Sequence, residues 1–104
     1  NMEFEMVICI VNSGFSDDVM EAAREVGARG GTVINGRGTT SQAIEKVLNI
    51  AIHPEKEIVL LVIDKTIKEA VLHSLYNKVG LNTAGQGIAI SIPVDDVVGI
   101  SQNI

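Results

Sequence analysis

Apolar positions along this chain fall into runs of two different periods, and their order predicts the elements. Met6 to Val11 (MVICIV) is a continuous, β-branched-rich run, the pattern of a central strand. Asn12-Ser13-Gly14 breaks it, and Phe15 to Asp18 open a helix. Ser16 is placed to cap that helix, Asp17 and Asp18 lie at the positive end of its dipole, and Phe15 with Met20 is spaced as a hydrophobic staple. Val19, Ala22, Ala23 and Val26 repeat on one helical face, and Gly27 stops the helix. A second strand is expected from Gly31 to Asn35, ended by Gly36-Arg37-Gly38. Glu57 to Asp64 (EIVLLVID) reads as a third strand. Thr66 to Lys78 reads as a second helix, with a Thr66/Glu69 capping box, closure at Gly80, and Ile67, Ala70, Val71, Ser74 and Leu75 facing inward. Leu81 to Gly87 is a loop, Gly87 to Pro93 (GIAISIP) a fourth strand, and VDDVVGI a candidate edge strand.

Between the second and third strands lies an insert, Thr39 to Lys56, that runs to roughly twenty residues where neighbouring strands are normally joined by a few. Its first part, SQAIEKVLNIAI, has helical spacing, with Ser41 as cap and Ile44, Val47, Leu48 and Ala51 on one side; His53-Pro54 ends that pattern. Such an apolar stripe buries itself against its own sheet or against a partner. Each half of the chain runs strand, helix, Val-Gly (Val26-Gly27, then Val79-Gly80), loop, strand. That repeat predicts an α+β, ferredoxin-like βαββαβ sandwich: a four-stranded antiparallel sheet with two helices on one face and a long connector between strands two and three. The strands are apolar on both sides of the pleat, so the uncovered face predicts a ring of subunits.

Composition narrows the function. The 104 residues suit one domain, 1–104, and the 46% hydrophobic content is high for its size, which again points to surface buried between subunits. Aromatics are 3% with no Trp, and net charge is −5 with scattered basic residues, so nucleic acid is excluded as a partner. Cys9 stands alone in an apolar strand and reads as a buried structural thiol. NMEFEM carries no basic and apolar leader pattern, and a cytoplasmic location is expected. No enzyme constellation is expected: Ser41 or Ser101, His53, His73 and an Asp are not brought together by any motif. Asp95 and Asp96 are adjacent and would point to opposite faces of a strand. Glu69 and His73 share a helical face but supply only two metal ligands, so no metal site is assigned.

Taken in order, the VGxxGGTV lead-in to the second strand, the GRG turn, the long connector, Pro54, the Gly85-Gln86-Gly87 turn and the final IPVDDVVGI resemble the PII nitrogen-regulatory signal proteins. The resemblance implies a homotrimer with its sheets facing inward and an adenine nucleotide (AMP, ADP or ATP) between neighbouring subunits, with no tightly bound cofactor. It implies that the connector, in the place of the T-loop, regulates a partner such as a membrane transporter or enzyme. Carried over, Thr32 would lie near the adenine, and Gly36, Arg37, Gly38 and Thr39 near phosphates. Gly85, Gln86 and Gly87 would close the cleft from the neighbouring subunit. Glycine turns can supply an anion nest from backbone N–H groups alone.

The departures from that family concern charge. The second strand is two residues shorter before its GxG, and the basic residues that follow the family's first glycine pair are here Thr39 and Thr40. A lysine after the second glycine turn is Ile88, two arginines of the last strand fall on Gly99 and Ser101, and the lysine after the connector's proline falls on Glu55, with Lys56 beside it. The tyrosine that some members modify is absent, Tyr76 being the only one and lying in the second helix. Charge-assisted contacts to phosphate are the strong ones, so these changes argue against tight ATP binding and against 2-oxoglutarate sensing through a metal. Arg37 and Arg29 are the candidates to meet an anion. Two other readings stand beside the sensor: a trimeric metal-binding module of the same fold using Cys9, His53 and His73, and an interaction protein that needs no ligand.

Overall fold

Every second residue of the first strand is buried, and that alternation sets the layers of the molecule. In β1, Phe4–Asn12, the residues Val7, Cys9 and Val11 are fully buried while Met6, Ile8 and Ile10 are half-buried on the other side. The computed structural model describes residues 3–39 and 55–100. After β1 come α1 (Ser16–Arg24), β2 (Thr32–Arg37), β3 (Glu55–Asp64), a 3-10 turn (Lys65–Ile67), α2 (Lys68–Val79) and β4 (Ile88–Val94). The strands form one four-stranded sheet in the order β2-β3-β1-β4, antiparallel throughout, as the internal repeat predicts.

The core lies between the sheet and the helices. Val59, Leu61 and Ile63 of β3 join the buried side of β1, and Val19, Ala22 and Ala23 of α1 meet Val71, Leu75 and Val79 of α2 above them. The Ser74 hydroxyl donates to the Ala22 carbonyl at 2.8 Å, tying the helices where two alanines leave room for close approach. Of the expected inner face of α2, Val71 and Leu75 are buried, but Ala70 is exposed and Val79 takes the inside position one turn after Leu75.

Both helix starts differ from the local expectation. Ser16 is the first helical residue and its side chain caps nothing. The amides at the entry to α1 are met instead by Glu57 of β3, whose Oε1 accepts from the Gly14 N–H at 2.8 Å and from the Ser16 N–H at 3.2 Å. At α2 the capping box does not form. Asp64 accepts from the Thr66 amide (2.9 Å) and hydroxyl (2.8 Å), and the 3-10 turn it holds pushes the start of α2 to Lys68.

The Gly36-Arg37-Gly38 segment does not end the second strand where the sequence suggests. Gly36 pairs with Lys56 and Arg37 with Glu55, so the ladder runs two residues further and Glu55 and Lys56 belong to β3, not to the insert. The expected helix over 41–51 and His53-Pro54 lie outside the described residues. No edge strand forms over 95–100.

The side of the sheet away from the helices is apolar and open. Its rows read Ile34, Ile58, Ile10, Ile88, then Thr32, Leu60, Ile8, Ile90, then Val62, Met6, Ile92. Ile90 and Ile92 are 45% and 44% exposed. An apolar surface of this continuity marks an interaction face.

Candidate functional site

Four strand ends and two loops meet at one end of the sheet. β1 finishes there at Asn12, β2 at Arg37, β3 starts at Glu55 and β4 at Ile88. Asn12 organises the junction. Its Oδ1 accepts from Lys56 Nζ at 2.7 Å, its Nδ2 donates to the Ala84 carbonyl at 3.0 Å, and its backbone N–H donates to the Gly85 carbonyl at 2.8 Å. The next amide, Ser13, donates to the Glu55 carbonyl at 3.3 Å. The foot of the connector and the Gly85-Gln86-Gly87 loop are thus joined through one carboxamide, an arrangement that no local motif announces.

The Gly85-Gln86-Gly87 loop is built inward. The Gln86 N–H donates to the Thr83 carbonyl and the Gly87 N–H to the Val79 carbonyl, so two of its three amides are already engaged. Gln86 takes a positive φ of 47°, unusual for a residue with a side chain. Gly85 and Gly87 are buried, and a side chain at Gly87 would meet the Val79 carbonyl and Val11. At the first glycine pair, Gly36 is extended strand, with the Ile58 side chain 3.1 Å from where its Cβ would stand; Gly38 and Thr39 follow the strand.

Thr32 lies at the far end of β2, away from these loops. It lines a cleft of 540 Å³ with the Gly27 to Gly31 backbone, Phe4, Leu60, Val62 and Ile67. The walls are mostly apolar or main chain. Arg29 and Asp64 are its charged members, and Asp64 already serves Thr66, whose bonds hold its carboxyl below the usual range. The structure therefore separates the expected site residues into Thr32 with the cleft, Gly36 to Thr39 at the foot of the connector, and the inward-built second loop. In the sequence Leu60 and Val62 read only as strand residues and Phe4 precedes the expected first strand; nothing short of the register puts them beside Thr32.

Other candidate chemistry does not assemble. Cys9 is buried under α2 with Leu72, Leu75 and Val79, and burial pushes its thiol up to about 11, into the unreactive range. His73 is exposed and its Nε2 lies 3.1 Å from Asn77 Nδ2. Among the described residues, no group of three or more His, Cys, Asp or Glu side chains stands ready for a metal, and no helix is long and apolar enough to cross a membrane.

Glu57 makes a test of this end of the molecule. The Gly14 amide, then that of Ser16, holds its carboxyl below the ordinary glutamate range. A depressed carboxylate stabilises the fold above its unfolded value of about 4.3 and loses that contribution as pH falls through the lower folded value. Glu57→Gln is expected to cost about 0.5–1 kcal/mol at pH 7, the scale of a helix cap, with the deficit shrinking below pH ~4. Chemical denaturation across pH reads this directly, and a deficit independent of pH would remove the charge from the explanation.

No family model matches the sequence, and no curated protein matches it. Solved structures do. The chain is similar to the PII protein of Arabidopsis thaliana bound to citrate, with 24% identity and a TM-score of 0.71 over 96% of this chain and 82% of that one. The chain has the PII fold. A PII-like signaling protein from Thermus thermophilus agrees, with 16% identity and a TM-score of 0.67 over 88% of this chain and 86% of that one. Thr32, the first residue of β2, lines the cleft and also stands on the open apolar side of the sheet, beside Leu60.

Proposed function

We propose that the protein is a PII-like sensor without enzymatic activity. In this reading it forms a homotrimer through the open sheet face, takes an adenine nucleotide in the cleft at Thr32, and regulates a transporter or enzyme of nitrogen metabolism through its connector. One observation carries the reading: β2 has the cleft at its first residue and the foot of the connector at its last. A ligand that orders this strand acts on both. The citrate held by the Arabidopsis protein is in keeping with a small-ligand site on this scaffold. The metal-binding alternative is disfavoured, because Cys9 is buried under α2 while His73 is exposed on its outer surface.

Thermal melting against AMP, ADP and ATP tests the proposal. A ligand specific for the folded state adds about 2.7 kcal/mol at a hundredfold excess over its Kd. Gly30→Leu supplies the control. Gly30 lines the cleft and a Cβ there meets nothing within 4 Å, so a leucine is accommodated at its edge, where it is expected to crowd a bound nucleotide. The variant is expected to melt like the wild type alone and to lose the nucleotide shift. A shift that survives Gly30→Leu would move the site elsewhere.

A further inference from the structure

The row of residues leading from the cleft to the connector ends in one cation. We propose that the ligand carries a single anionic group, as a nucleoside monophosphate does, and that Lys56 is the partner of that group. The proposal rests on the nucleotide reading above and narrows it.

Register fixes the row. On the open side of the sheet Thr32 stands beside Leu60, Ile34 beside Ile58, and Gly36 beside Lys56. A ligand with its ring in the cleft, running along β2, crosses Leu60 and Ile58 before it meets the ammonium. Thr32 and Gly36 are four positions apart, about 13 Å at the rise of an antiparallel strand, which matches a base, its ribose and one phosphate. At Gly36 the Ile58 side chain reaches over the strand, 3.1 Å from where a Cβ would stand, so the ligand passes above Ile58 to reach the ammonium.

The ammonium is held in place. Asn12 Oδ1 accepts one of its protons at 2.7 Å, and Asn12 is itself anchored to the Ala84 carbonyl. An ammonium has three donors, so among the described residues two are left for an anion.

The other described cations are placed differently. Arg37 is on the opposite side of the pleat, beside Glu55. Lys65 lies 3.1 Å from Glu3, Lys78 lies 2.9 Å from Glu21, and Lys68 lies between Glu5 and Glu69. Arg24 donates to the Arg29 carbonyl, and Arg29 stands at the cleft, at the ring end of the ligand. A triphosphate would bring several further negative charges to a chain of net charge −5, with one ammonium on this side of the described sheet to meet them. Unmatched charge costs affinity.

Calorimetric titration of adenosine, AMP, ADP and ATP into the wild-type protein and Lys56→Ala tests this. AMP is expected to bind at least tenfold tighter than adenosine, with no gain for ADP or ATP. Lys56→Ala is expected to bring AMP down to the adenosine level while adenosine itself is unchanged, and Lys56→Arg to restore part of the difference. ATP binding tenfold tighter than AMP, or an AMP preference that survives Lys56→Ala, would overturn the single-anion proposal and leave the nucleotide reading standing. Absence of binding by all four to the wild type would overturn both.

Discussion

Replacing Ile8 with aspartate is expected to give a protein that folds but does not form the proposed homotrimer. Ile8 lies in the middle of the open sheet side, flanked by Leu60 and Ile90, and is only half-buried within one subunit. In the isolated subunit a carboxylate there remains in contact with water, so the core beneath, built from Val7, Cys9 and Val59, is untouched. In a trimer closed on this face, each aspartate is enclosed by apolar neighbours with no counter-charge. Burying an unpaired carboxylate costs several kcal/mol, and each 1.4 kcal/mol is about a factor of ten in the association constant. Three copies are buried at once, so the assembly is expected to dissociate at micromolar concentration. Ile90→Asp, at a position 45% exposed in the subunit, is expected to act the same way with still less effect on folding. Sedimentation velocity reads the mass and circular dichroism the fold. A trimeric Ile8→Asp protein would show that the subunits meet through some other surface.

Gly87→Ala is expected to destabilise the subunit itself, by about 2–3 kcal/mol, in the upper part of the range for an overpacked core. The added methyl would stand 2.5 Å from the Val79 carbonyl oxygen and 2.9 Å from Val11 Cγ1, distances at which something must shift. Neither neighbour is a flexible tip. Val79 closes α2 and Val11 is fully buried in β1. The same movement would break the Gly87 amide's bond to Val79 and loosen the loop that Asn12 holds. Gly85→Ala, whose contacts would be 3.3–3.4 Å, is expected to cost less. Denaturant unfolding measures both. If Gly87→Ala unfolded with the wild type and only ligand binding suffered, the glycine would serve the ligand and not the packing.

These two residues show what is legible in the sequence. The strands can be read because their apolar runs are short, β-branched and bounded by Gly, Asn or Pro, and the helices because valine and alanine recur at helical spacing. The doubled pattern is enough for the topology. The helix caps are hidden for a physical reason: Glu57 reaches α1 across the sheet, from more than forty positions away in the chain, and no local window holds both partners. Asp64 is nearer to view, since an Asp two residues before Thr66 is an ordinary turn-forming arrangement. The glycines of 85–87 read as a ligand turn from their spacing, and spacing does not reveal that Gly87 is also pressed against Val79. Thr32 is picked out by resemblance, while the walls of its cleft, Leu60 and Val62, depend on register. Lys56 reads as the last residue of the connector, and only its pairing with Gly36 places it on the sheet.

That pairing has a consequence for how such proteins diversify. The segment 38–54 leaves the sheet after Arg37 and returns at Glu55, two residues that face each other across neighbouring strands. Its ends are clamped together by the ladder whatever lies between them. Closing a loop on fixed ends costs only about 0.6 kcal/mol more for each doubling of its length. The sheet therefore behaves as a socket. Segments of quite different length and partner preference can be transplanted between Arg37 and Glu55 by evolution or by a protein engineer, while the scaffold beneath keeps its register.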